Sequence, residues 1–220
     1  MRIDRAGYPF IAGALLPAAA FAVGRRTGLA AACAGVAGFM AYFFRDPDRH
    51  APAGDDMVVS PADGRVLVAG TPEPGAAPAG EWQQVSVFLS PVDVHINRVP
   101  FGGRVTQVRY QPGRFLPAYQ PDAARDNERS EVWIERGDLT VVFRQIVGIL
   151  ARRVVCRARE GDVLATGARF GLMKFGSRMD VFLPPSAQLR VAAGTRVRGG
   201  ESVLARIPDA PPGPPRDDSC

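Results

Sequence analysis

"EVWIERGDLTVVFRQIVG", residues 131 to 148, consists of two β-branched, partly alternating runs on either side of "RGDL". Alternation with a period of two is what a strand shows when one face is buried, and Gly-Asp between two such runs is a turn signal. The stretch therefore reads as a β-hairpin. Runs of the same kind lie upstream in "EWQQVSVFLS" (81 to 90) and "GRVTQVRY" (103 to 110). Shorter ones lie downstream in "GDVLATG" (161 to 167), "MDVFLP" (179 to 184) and "GTRVRGGESVLAR" (194 to 206). "GDVLA" and "GESVLA" echo each other, and the last run has the glycine and valine spacing of hairpins in lipoyl- and biotinyl-carrier-like barrels. Its turn has no attachment lysine, which argues against a swinging-arm carrier. Residues 55 to 207 are thus expected to form a mainly β domain, a compact barrel or sandwich with lipoyl-like hairpins. Residues 208 to 220, "PDAPPGPPRDDSC", are rich in proline and charge and are expected to be a disordered tail.

The chain ahead of this domain has a different character. "YPFIAGALLPAAAFAVG" (8 to 24) and "TGLAAACAGVAGFMAYFF" (27 to 44) contain no charged residue, and Arg25 and Arg26 separate them. Each approaches the ~20 residues a helix needs to cross a bilayer. A second apolar run follows the first at once, which does not suit a cleaved signal peptide. Their alanine and glycine content favours close helix contact. Residues 1 to 54 are expected to be a membrane-anchoring helical hairpin and linker. Arginines flank both runs, so the positive-inside rule gives no orientation.

A formal charge of +5 suits an anionic membrane surface, a phosphate-bearing substrate or nucleic acid alike. Cys33, Cys156 and Cys220 have neither metal-site spacing nor the pattern of a disulfide framework. There is no H-E-x-x-H, P-loop or dinucleotide fingerprint. Reactive side chains are few: His50, His95 and the lone Lys174. His50 falls in the linker. His95 lies in "SPVDVHINRVP", an extended segment between Pro91 and Pro100. Asp63, in "SPADGRV", has the position of an aspartate that hydrogen-bonds its own turn.

"MKFGSRMDVF" (173 to 182) holds a Gly-Ser pair at the mouth of an apolar run. A serine hydroxyl can attack the carbonyl of the residue before it and convert the peptide to an ester. Glycine at that position tolerates the backbone this requires, and a His-Asp pair would activate the hydroxyl. Loss of the serine α-proton then leaves dehydroalanine on the downstream fragment. Its hydrolysis releases ammonia and leaves a pyruvoyl group. The spacing permits this chemistry without establishing it.

The chain resembles the short bacterial and archaeal phosphatidylserine decarboxylases almost end to end. The resemblance rests on "YFFRDPDR" (42 to 49), "VVSPADGRV" (58 to 66), "LSPVDVHINRVPFGG" (89 to 103), "DNERS" (126 to 130), "QIVGILARRVV" (145 to 155) and "GDVLATGARFGLMKFGSRMDVFLP" (161 to 184). It implies self-cleavage between Gly176 and Ser177, with Ser177 becoming the pyruvoyl cofactor and Asp63 and His95 as its triad partners. It also implies a β chain (1 to 176) paired with an α chain (177 to 220), or a higher oligomer of that pair, on the cell membrane with the catalytic domain facing the cytoplasm. The substrate would be a phospholipid in an anionic membrane, held as a Schiff base to the pyruvoyl group, with no nucleic-acid partner; no metal is implied. An ether-lipid (archaetidyl) serine is the alternative substrate.

Two positions depart from longer members of that family. They have Leu-Gly-Ser-Thr where this chain has Phe175-Gly176-Ser177-Arg178, and a second histidine where this chain has Arg98. Other readings of the residues are a pyridoxal-phosphate decarboxylase built on Lys174 and a non-enzymatic, membrane-tethered lipoyl-like adaptor. The first lacks the size and the phosphate cup; the second requires an intact chain. Arg178 is read as facing a phosphate or carboxylate, or as an outward strand position. "QPGRFLPAYQ" (111 to 120) is read as an interfacial or packed surface loop.

Overall fold

The computed structural model describes residues 2–149, 154–174, 177–208 and 210–215. It divides into two compact units, Met1–Asp48 and Arg49–Cys220. In the first, α1 (Tyr8–Val23) and α2 (Thr27–Phe43) form a hairpin over a small ribbon of β1 (Arg2–Ile3) and β2 (Arg45–Asp46). The helix ends fall within one residue of the two charge-free runs. Leu16 and Val23 are 73% and 87% exposed, so the hairpin presents apolar side chains outward. With its 3-10 entry turn the first helix runs Arg5–Val23, and by length and composition it can cross a membrane; Thr27–Phe43 is shorter.

The second unit is mainly β. In chain order it comprises β3 (Met57–Val59), β4 (Gly64–Gly70), β5 (Gln83–Leu89), β6 (Ile96–Arg98), β7 (Gly103–Gln111), α3 (Ala123–Asp126), β8 (Arg129–Arg136) and β9 (Leu139–Val147). There follow β10 (Val154–Cys156), β11 (Val163–Leu164), β12 (Arg169–Met173), β13 (Ser177–Leu183), β14 (Gln188–Leu189), β15 (Arg196–Val197) and β16 (Val203–Arg206). The principal sheet runs β11-β7-β8-β9-β13-β5-β4-β15, and its pairings are antiparallel. Its two ends do not meet. The sheet is open, and the architecture is a sandwich rather than a closed barrel. The expected hairpin at 131 to 148 is β8–β9, joined by Gly137 and Asp138, with Gly137 at φ 58°. The two arms of "GTRVRGGESVLAR" pair with β4 and with β3 and β14, not with each other.

Alternation explains the layering. Val85, Val87 and Leu89 on β5, Val141 and Phe143 on β9, and Met179, Val181 and Leu183 on β13 point to one face. There they meet Val58, Phe170, Met173, Leu204 and Ala205 from the smaller sheets β10-β12-β6 and β14-β16-β3. The opposite face carries Val142, Ile146 and Phe182, covered by Ala76 and Ala124. β13 is therefore buried along its whole length. Ala210, in the stretch expected to form a disordered tail, packs against the main core; residues 209 and 216–220 lie outside the described residues.

One glycine is fixed by a close approach. A Cβ on Gly64, at φ 155°, would come within 2.0 Å of the Phe88 carbonyl oxygen. That oxygen belongs to a paired strand and cannot step aside. Gly64→Ala is expected to cost roughly 2–4 kcal/mol, read as a fall in the urea midpoint. Gly161→Ala, also at positive φ but facing open space, is expected to cost less.

Candidate active site

Ser177 opens β13, a central strand. Its cross-strand neighbours are Leu89 on β5 and Val147 on β9, and all three are fully buried. Among the described residues the Ser177 Oγ has no hydrogen-bond partner. A buried, unpaired hydroxyl costs about 1–3 kcal/mol. Such a group is tolerated where it has chemistry to perform. Phe175 and Gly176, including the expected scissile position, lie outside the described residues.

His95 immediately precedes β6 and is 2% exposed. Two routes of the chain bring it towards Ser177. Leu89, opposite Ser177, leads through the 90–94 segment to His95. At the other end, the Met173 N–H donates to the His95 carbonyl at 3.3 Å, just before the chain runs on to Ser177. The His95 Nδ1 lies 2.9 Å from the Asp93 carbonyl oxygen. A carbonyl can only accept, so Nδ1 carries a proton, and Nε2 is the ring nitrogen left to exchange one. Asp93 is itself held: its Oδ2 accepts from the Ser90 N–H and Oγ at 2.8 and 2.7 Å.

Asp63 is linked to the strand that follows His95 through the backbone of its turn. Its turn is tied to β6, where the Arg98 N–H donates to the Pro61 carbonyl at 2.8 Å. The carboxylate does not bond its own turn. Oδ1 accepts from the Gly199 N–H at 2.8 Å and Oδ2 from Arg49 Nη2 at 3.0 Å. Arg49 in turn binds Glu201 at 2.9 Å. The clamp on Asp63 therefore comes from residues 14 and 136 positions away, beyond the reach of local turn chemistry.

Two side chains passed over in the sequence belong here. Gln145 precedes Val147 by two on β9 and shares the Ser177 face. Its Nε2 donates to Asn97 Oδ1 at 2.8 Å, yet Gln145 Oε1 and Asn97 Nδ2 are buried without partners among the described residues. One acceptor and one donor are thus left unused beside an unused hydroxyl. No local motif announces them; only strand register does. Arg98 is buried, and its Nη1 donates to the Gly167 carbonyl at 3.1 Å.

Arg178 points to the other face, and the expectation of an outward position is replaced by a buried one. Its side chain is fully enclosed; Nε donates to Asp180 Oδ1 at 2.6 Å, and Nη2 to Ser86 Oγ at 2.8 Å and to Glu73. It faces carboxylates, one of the two alternatives read from the sequence. Burial pushes the guanidinium pKa down, but Asp180 and Glu73 outweigh it and leave it raised. In the 111 to 120 loop, Phe115 and Tyr119 are exposed, and the Tyr119 ring meets Phe88 edge-on at 6.0 Å.

A family model described as phosphatidylserine decarboxylase matches residues 36–205. Among similar proteins, a phosphatidylserine decarboxylase proenzyme of Pelodictyon phaeoclathratiforme is 45% identical over 76% of this chain and 79% of its own. One of Salinibacter ruber is 47% identical over 77% and 76%. One of Pelobacter propionicus is 42% identical over 91% of this chain and 94% of its own, which takes in most of the apolar hairpin as well.

Proposed function

The chain belongs to the phosphatidylserine decarboxylase family, and from that premise we propose that it converts phosphatidylserine to phosphatidylethanolamine at a pyruvoyl group made from its own Ser177. The observation that carries this reading is the Ser177 hydroxyl, fully buried and unpartnered among the described residues at the first position of a central strand. In maturation, His95 Nε2 takes the hydroxyl proton and Oγ bonds to the Gly176 carbonyl carbon as the Gly176–Ser177 peptide bond breaks. Loss of the Ser177 α-proton expels the Gly176 carboxylate. Water then replaces the nitrogen, which leaves as ammonia. The products are a β chain ending at 176 and an α chain beginning, without an amine, at 177. The two remain together as a heterodimer because β13 is hydrogen-bonded between β5 and β9.

The residues fit that cofactor: the Ser177 hydroxyl is buried and unpartnered among the described residues, with His95 on the segment that leads from its cross-strand neighbour Leu89. Once formed, the group supplies a carbonyl that condenses with the substrate amine and accepts the electron pair left when carbon dioxide departs. The protein's residues do the rest. The Asp93 carbonyl holds the His95 ring through Nδ1, and Nε2 can carry the proton that returns to the substrate α-carbon. Arg49 and the Gly199 N–H hold the Asp63 carboxylate in a fixed orientation. Asn97 Nδ2 and Gln145 Oε1 offer a donor and an acceptor to the serine headgroup. The apolar hairpin anchors the enzyme to an anionic membrane, with the catalytic unit on the cytoplasmic side.

The test is an intact mass and denaturing gel of the purified chain, with carbon dioxide release from phosphatidylserine vesicles. Two fragments are expected, the smaller blocked at its N-terminus and reactive towards a carbonyl reagent. A chain that stays whole yet releases carbon dioxide would refute the mechanism.

A further inference from the structure

The outer face of the principal sheet, opposite the face to which Ser177 contributes, holds a pocket of volume ≈ 340 Å³. Arg109, Arg129, Arg144, Glu131, Gln111 and Trp133 line it. Strand register puts them together: Glu131 is the cross-strand partner of both Arg109 and Arg144, and Arg129 of Gln111.

The charges do not cancel. Glu131 is fully engaged, its Oε1 accepting from Trp133 Nε1 at 2.6 Å and its Oε2 from Arg144 Nε. Its ion pair is with Arg144, and its charge also reaches Arg129 through space. Neither Arg109 nor Arg129 makes an ion pair among the described residues. Arg129 Nη1 donates only to neutral carbonyls, of Arg125 at 2.5 Å and Asn127 at 3.4 Å. Burial, and then the nearby Arg144 charge, lower the Arg129 pKa. Three guanidiniums and one carboxylate thus line one open volume. The acids that reach half-buried Arg129 through space, Glu131, Asp126 and Asp180, do not offset its burial and the Arg144 charge, so an anion entering the pocket would be favoured. Several guanidiniums around one volume suit the spread acceptors of a phosphate better than the two coplanar oxygens of a carboxylate.

We propose that this pocket is a phosphate-binding site separate from the Ser177 centre, filled by the phosphate of an anionic lipid headgroup or by a soluble phosphate. It does not depend on how Ser177 is processed.

The experiment uses the purified full chain as isolated. Trp133 in the wall gives a local signal, so inorganic phosphate is titrated against tryptophan fluorescence and by calorimetry, with sodium chloride at matched ionic strength as the control. A saturable response to phosphate is expected. Arg109 is exposed and makes no hydrogen bond or ion pair among the described residues, so Arg109→Gln should keep the fold and weaken phosphate about tenfold. Arg109→Gln/Arg129→Gln should remove the response. Carbon dioxide release from detergent-dispersed substrate should be unchanged in both.

Flotation with phosphatidylcholine vesicles, with and without phosphatidylglycerol, distinguishes the sources. Recruitment to phosphatidylglycerol that phosphate competes away, and that Arg109→Gln weakens, identifies a lipid headgroup. Saturable phosphate binding with recruitment unaltered by the variant identifies a soluble phosphate. A response equal to that of chloride, or one the variants leave intact, overturns the proposal.

Discussion

Ser177→Ala is expected to give a single chain of 220 residues, with no fragment, no carbonyl-reactive terminus and carbon dioxide release at the background level. The expectation follows from the chemistry, because alanine has no oxygen to accept the Gly176 acyl group. No neighbouring side chain can supply the same atom, since the pyruvoyl carbons are those of residue 177 itself. The loss should be complete rather than graded, unlike removal of a group that only assists. Ser177→Cys is the informative companion. Its thiol can take the same acyl group, so slow cleavage is expected.

Stability should move the other way. The wild-type precursor has a buried hydroxyl with no partner among the described residues. Removing it relieves a desolvation cost of about 1–3 kcal/mol and opens a void no larger than an oxygen atom. Ser177→Ala should therefore unfold at the same temperature as the uncleaved wild-type precursor or above it. A variant that is inactive because it is misfolded would show the opposite.

What the sequence disclosed was local, and what it concealed was pairing across the fold. The hairpin at 131 to 148 could be read because two long alternating runs flank a Gly-Asp turn, and both its strands were found. The apolar hairpin could be read because charge marks its ends. The sandwich partners were harder. β6, β10 and β14 have two or three residues each, too few for any period to show. They are strands because β12 and β16 lie beside them.

Charge left two readings of Arg178 open. Arg178 and Asp180 alternate with Met179 and Val181, the usual mark of a solvated face, but the 71–82 segment covers that face and only the three-dimensional structure reveals it. Ser177 and His95 were named from their residue types and motifs. The clamp on Asp63 by Arg49 and Gly199, and the Asn97–Gln145 pair, depend on contacts that no local pattern encodes.

That covered face sets the second large expectation. Asp180→Ala is expected to destabilise the catalytic unit by about 3–5 kcal/mol, because it leaves the fully buried Arg178 guanidinium without its one fully buried carboxylate partner. For a domain of this size the apparent Tm should fall by roughly 10 °C, followed in detergent by tryptophan fluorescence. Glu73 cannot replace the lost partner, since it already accepts from Arg178 Nη2 and is partly exposed. Gln84 would lose its acceptor too, as its Nε2 donates to Asp180 Oδ2 at 3.0 Å.

The ion pair need not be a net source of stability, because both charges pay to leave water. Arg178→Met/Asp180→Leu, which removes both, should recover most of the loss, giving a coupling of about 2 kcal/mol or more in the double-mutant cycle. A fall of less than about 2 °C in Asp180→Ala, or a double variant no better than the single, would contradict the account of Arg178 as a charge sealed inside the sheet. Cleavage should persist in whatever fraction of Asp180→Ala folds, since its side chain lies across the sheet from the Ser177 hydroxyl.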